Sequence, residues 1–118
     1  MTQYNSITLD PNTYRYANYK TTLNSIDLAN VPWKYNSMSN AFNGCSNIKS
    51  ITNINDSIVN IDYTFYRCSK LIETPDISNC QNLTSMNNTF TNCSKLTDVS
   101  SIPNNITHMN STFSNFSN

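Results

Sequence analysis

The chain has 118 residues, enough for one domain with a modest core. Seven Lys and Arg balance seven Asp and Glu, and only 12% of residues are charged. With no basic patch and no charge run, nucleic acid and anionic membrane surfaces are excluded as expected partners. Asn supplies roughly a fifth of the chain and Ser with Thr roughly a quarter, so solubility must come from neutral polar groups. The 11% aromatic content and the regular recurrence of apolar residues argue for a folded chain.

Met1–Asp10 ("MTQYNSITLD") has neither the basic start nor the apolar run of a signal peptide. No stretch approaches the roughly 20 apolar residues of a spanning helix, so no membrane insertion is expected. The chain reads as intracellular, virion-borne, or a piece of a longer protein. Residues 1–22 form an irregular N-terminal segment. Tyr14 and Tyr16 alternate as on a strand, and Tyr4, Tyr19 and Trp33 add aromatic area. Two readings stay open for it: a cap over the first coil of the remaining chain, or an attachment segment whose Tyr and Trp anchor a partner or an oligomer.

Residues 23–118 carry an internal pattern. Phe42, Phe65, Phe90 and Phe113 stand at intervals of 23, 25 and 23 residues. Four residues before them come Met38, Ile61, Met86 and Met109, and three residues after them Cys45, Cys68, Cys93 and Phe116. A degenerate first repeat ends near Tyr35, where "VPWKY" (Val31–Tyr35) matches "IPNNI" (Ile102–Ile106). Further repeats start near 38, 61, 86 and 109.

Within a repeat, Met38, Phe42 and Cys45 stand at i, i+4 and i+7, which predicts a helix of about two turns. Gly44 and Asn92 precede the Cys and suit a left-handed C-terminal turn; Arg67 departs from that rule and predicts a different ending there. After the Cys the apolar spacing becomes three: Ile48, Ile51, Ile54, then Leu71, Thr74, Ile77, then Leu96, Val99, Ile102. That spacing predicts a short strand between tight turns, with those residues inward. The expected fold class is therefore an α/β repeat solenoid. Its leucine-rich-repeat-like coils would join short strands to short helical turns, behind an irregular N-terminal cap or anchor. The final "STFSNFSN" stops inside a repeat, which points to a longer chain or a partner covering that end.

"AFNGCSNIKSI" (Ala41–Ile51) and "TFTNCSKLTDVSSIPNNITHM" (Thr89–Met109) resemble the BspA-like, Treponema-type leucine-rich repeat, and "LIETPDI" (Leu71–Ile77) resembles a variant of it with Pro in the strand. The resemblance covers roughly Val31 to Asn118. Similar repeats occur in bacterial surface adhesins, protist surface proteins and phage fibre-type proteins. It implies a cell-surface or virion location, and binding through a strand-lined surface with no catalytic site.

The residues themselves offer little chemistry. Cys45, Cys68 and Cys93 are too far apart for close zinc-ligand pairs. They read as a buried ladder in which Cys is a small hydrophobe, since Phe116 takes the fourth place. Cross-coil disulfides are the alternative. Cys80 lies in the longer middle repeat and reads as a separate, exposed thiol. His108 is the only histidine and falls at a variable polar position, which leaves nucleophilic catalysis without its usual base. Gly44 is the only glycine, so no phosphate-binding loop exists. Several Asn-x-Ser/Thr sequons, such as those at Asn55, Asn87 and Asn110, follow from composition alone. No enzyme activity, cofactor or metal is expected.

The expected binding surface is a polar strip on the strand face: Lys49, Ser50, Thr52, Glu73, Asp76, Thr97, Asp98 and Ser100. It suits a protein or glycan surface. Tyr63 and Tyr66 add an aromatic patch elsewhere. The expected function is surface binding, adhesion or protein interaction. The alternative is a structural virion component, a phage fibre or decoration protein held by residues 1–22, forming a homo-oligomer or virion assembly.

Overall fold

The apolar spacing of Met38–Cys45 is satisfied by tight turns. In this computed structural model, which describes residues 24–28, 33–99 and 101–114, the N–H of Ala41 donates to the Met38 carbonyl. The N–H of Cys45 donates to the Phe42 carbonyl, and both bonds are 3.0 Å. Ile61–Cys68 closes the same two turns, Thr64 onto Ile61 and Cys68 onto Phe65, at 3.1 and 3.0 Å. The third residue of the first turn has left-handed backbone: Asn40 (φ 63°), Tyr63 (58°), Asn88 (55°) and Ser111 (55°). A left-handed residue interrupts a right-handed helix. The two-turn helices expected here do not form.

The backbone donors point sideways instead. The N–H groups of Met38, Asn40, Phe42 and Gly44 donate to the carbonyls of Asn60, Asp62, Thr64 and Tyr66 at 2.8–3.0 Å. Ile61, Tyr63 and Arg67 donate to Ser85, Asn87 and Thr91, and Met86, Asn88, Phe90 and Asn92 to His108, Asn110, Thr112 and Ser114. Buried N–H groups must find acceptors, and here they find them in the next turn segment along the chain.

Regular structure is sparse. Strand β1 (Ser25–Asp27) pairs parallel with β2 (Ser50–Thr52), Ile26 opposite Ile51. Single parallel bridges join Ser37 to Asn60, Asn60 to Ser85, Ser85 to His108, and Glu73 to Asp98. Lys34–Asn36 makes one 3-10 turn. These observations overturn the α/β solenoid of leucine-rich-repeat-like coils. The described residues contain no α-helix and two three-residue strands. The chain forms a compact body of 35 × 32 × 21 Å, with a Cα radius of gyration of 12.8 Å. The physical reason is the destination of the backbone N–H groups, which go to neighbouring segments rather than back along a helix. The readings made for residues 1–22, with Tyr4, Tyr14, Tyr16 and Tyr19, and for Ser100 and Phe116 lie outside the described residues.

The core runs through the turn segments. Phe42 stacks on Phe65, Phe65 on Phe90 and Phe90 on Phe113, with centroids 6.1, 5.7 and 5.6 Å apart and planes within 13°. Trp33 closes one end, edge-on to Phe42 at 6.4 Å. Met38, Ile48, Ile58, Ile61, Leu71, Leu83, Met86 and Leu96 pack around this column, and each such buried side chain contributes about 1.5–3 kcal/mol. Three buried threonine hydroxyls bind across segments: Thr64 donates to Met38 O, Thr89 to Ile61 O and Thr112 to Met86 O, at 2.8–2.9 Å. One position departs clearly from the spacing-of-three expectation. Thr74 is buried as predicted, but Val99 is 41% exposed.

Candidate functional site

The thiols, the first candidates for chemistry, are built to be inert. Cys45, Cys68, Cys80 and Cys93 are all free and buried. Cys68 donates to Phe42 O at 3.4 Å and Cys93 to Phe65 O at 3.1 Å. Burial pushes the Cys93 thiol up to about 12. Burial, and then the neighbouring thiols Cys93 and Cys45, push Cys68 well above its ordinary value. Cys80 corrects the reading of an exposed thiol. It is 1% exposed, its Sγ faces Asn55 O at 3.8 Å, and burial raises it to about 11. Thiolate is the reactive form, so none of these three is poised as a nucleophile at neutral pH.

His108 is exposed, its Nδ1 2.9 Å from Thr107 Oγ1. Among the described residues no group of three or more His, Cys, Asp or Glu gathers to hold a metal ion, and no helix is long and apolar enough to cross a membrane. Trp33, grouped with the N-terminal tyrosines as an attachment residue, is instead a core residue, 8% exposed. Its Nε1 is buried without a hydrogen-bond partner.

The polar strip lies on one exposed face. Lys49, Ser50, Thr52, Glu73, Asp76, Thr97 and Asp98 are all exposed. Two links hold it in register: the β1–β2 pairing brings in Ser50 and Thr52, and the parallel bridge sets Glu73 beside Asp98. Ser50, Thr52, Glu73, Asp76 and Ser78 line a groove of about 510 Å³ whose floor includes the buried Pro75. The hydroxyl and then the N–H of Ser78 donate to Asp76 Oδ1, at 2.7 and 3.0 Å. They hold the Asp76 carboxyl below its ordinary value and fix its direction.

Charge on this face is sorted by sign. Lys49, Lys70 and Lys95 surround a second groove of about 290 Å³ with Ile72, which is 52% exposed. Glu73 and Asp98 flank a third, of about 120 Å³, with Val99. None of these five charged side chains has an ion-pair partner among the described residues. Like charges directly opposite one another cost free energy, yet Glu73 and Asp98 are bridged partners. Lys70 and Lys95 were missing from the expected strip. The duplicated Cys-Ser-Lys at Cys68–Lys70 and Cys93–Lys95 was the signal that marks them.

No family model, curated protein or solved structure matches the chain.

Proposed function

We propose that the protein is a non-catalytic interaction module that binds a protein surface through the face carrying Lys49, Lys70 and Lys95 on one side and Glu73, Asp76 and Asp98 on the other. The observation that carries this reading is the segregation of charge by sign around two exposed apolar residues, Ile72 and Val99. Among the described residues no ion pair joins the lysines to the carboxylates. Opposite a partner of complementary pattern they give orientation and a faster encounter. Ile72 and Val99 supply apolar area to desolvate at the centre. A protein surface can present both signs and apolar contacts at once, which favours it over a purely polar glycan for this face.

The test is a selection of displayed random peptides on the wild-type chain, followed by affinity measurement on the wild type and on the Glu73→Ala/Asp76→Ala/Asp98→Ala variant. Selected peptides should carry both apolar and charged residues and lose about tenfold or more on the variant, or about 1.4 kcal/mol. Peptides that bind both proteins equally would remove this face as the site.

A further inference from the structure

Away from that face, one turn segment differs from its neighbours in a way that folding does not explain. Position 63 is matched by Asn40, Asn88 and Ser111: the N–H groups of Asn40, Tyr63 and Asn88 make the same sideways bond, to Asp62, Asn87 and Asn110. All four residues are left-handed, with φ of 55–63°. Position 67 is likewise matched by Gly44 (φ 83°) and Asn92 (63°), each donating sideways as Arg67 does. Gly and Asn are at home in this conformation, whereas a bulky residue there is an outlier. Yet Tyr63 holds φ 58° and Arg67 φ 62°. Residues held in sparsely populated regions gather at functional sites.

Of the bulky residues with this backbone, Tyr35 (φ 57°), Tyr63 and Arg67, the last two share a turn segment and build one patch. The Tyr63 and Tyr66 rings lie 5.2 Å apart, tilted by 53°. The Arg67 guanidinium carbon sits 5.4 Å from the Tyr66 ring centroid. Tyr63 is 38% exposed and Arg67 is exposed. The Arg67 guanidinium has no carboxylate partner among the described residues. Arg67 also lines a groove of about 510 Å³ with Gly44, Ser46, Ser69 and Asn92, none of which belongs to the charged face, so it joins the tyrosine pair to that groove.

We propose that Tyr63, Tyr66 and Arg67 form a second binding site, for an acidic sugar. The tyrosine faces offer apolar area to one side of a pyranose ring. The guanidinium, oriented by its stacking on Tyr66, offers paired donors to a carboxylate. Ser46, Ser69 and Asn92 offer hydrogen bonds to hydroxyl groups. A protein partner fits less well. A standard interface buries about 800 Å² on each side, and Tyr63 is the only large hydrophobic in the segment Ile61–Cys68 that is more than a third exposed.

The experiment uses the full chain on an array of sialylated and glucuronylated oligosaccharides beside their neutral counterparts, with thermal melts in parallel. The key variant is Tyr63→Asn/Arg67→Asn, which installs the residue type found at the matched positions. Tyr66→Ala, at a residue of ordinary backbone, is the second. The wild type should bind carboxylated sugars and discriminate against neutral ones. Both variants should lose binding by about tenfold or more. The double variant should melt at the wild-type temperature or about 2–5 °C above it. The site is overturned if no acidic sugar binds, if neutral sugars bind equally, or if either variant keeps the binding. A fall in melting temperature of more than about 5 °C in the double variant would assign Tyr63 and Arg67 to the fold instead. Loss of this site leaves the charged face untouched, because its peptide binding is read separately.

Discussion

The Cys93 thiol lies 3.1 Å from the carbonyl oxygen of Phe65, and both side chains are buried in the column of stacked rings. The sulfur therefore serves as a weak donor to a backbone acceptor and as a filler of small volume. Cys68 repeats the arrangement against Phe42, at 3.4 Å. In the native protein all four cysteines should resist a thiol reagent at pH 8, and all four should react within minutes in denaturant. Labelling followed by intact-mass measurement checks this. Rapid native labelling of Cys68 or Cys93 would contradict the packing described.

The same burial gives the stability a dependence on alkaline pH. An unfolded thiol loses its proton near 9, while folded Cys80 keeps it to about 11 and folded Cys93 to about 12. Between those limits the unfolded chain binds fewer protons than the native one, so stability falls as pH rises. Each thiol contributes about 1.4 kcal/mol of loss per pH unit in its window. Below about pH 8 these thiols should impose no slope. Urea melts at pH 8, 9 and 10 should show the decline, and Cys80→Ala/Cys93→Ala should make it shallower, leaving the part due to Cys68, while lowering the plateau.

Thr64 and Thr89 set hydroxyls inside the core against the carbonyls of Met38 and Ile61. Each of those carbonyls also accepts a turn N–H, from Ala41 and Thr64 respectively. Replacing Thr by the isosteric Val thus leaves neither acceptor wholly unpaired. The expected cost is about 1 kcal/mol per site, at the low end for a buried polar loss. Thr64→Val and Thr89→Val should each shift the urea midpoint by that amount without changing the slope. A cost above about 3 kcal/mol would mean that the hydroxyls position the segments as well as pairing them.

Which side chains would be buried was legible before the chain was seen folded, and how the backbone would bury them was not. Phe42, Phe65 and Phe90 and their cysteines stand out because bulk recurs at a fixed interval. Spacing of i, i+4 and i+7 does not distinguish a helix from two successive tight turns, each with a left-handed third residue. The clue lay in Asn40 and Asn88, which tolerate that conformation. Tyr63 at the matched position hid it, as Arg67 hid the equivalence with Gly44 and Asn92. Cys80 was misread because an added pair of residues suggests an exposed loop, and the sequence carries no sign of the Asn55 carbonyl that receives its sulfur. Val99 was misread because a spacing of three has no fixed face once the strand shrinks to a single bridge. The charged face was half legible. Their place between apolar residues spaced by three marked Glu73 and Asp98, while Lys70 and Lys95 were absorbed into a motif read for its cysteines.

The bridged pair Glu73 and Asp98 separates binding from stability on that face. Two carboxylates held side by side repel, and added salt should screen the repulsion. Asp98→Lys turns the pair into an opposite-charge one and should stabilise the fold by about 0.3–1 kcal/mol at low salt. The salt dependence should change sign at this site. Added sodium chloride should raise the wild-type urea midpoint slightly and lower the variant's. The same substitution should weaken peptides selected on the wild-type face by about tenfold or more, because it places a cation where the partner's cation docks. Urea melts at low and high salt, paired with affinity measurements on one selected peptide, test both outcomes. A variant that is more stable and still binds would show that Asp98 repels Glu73 without serving the interface.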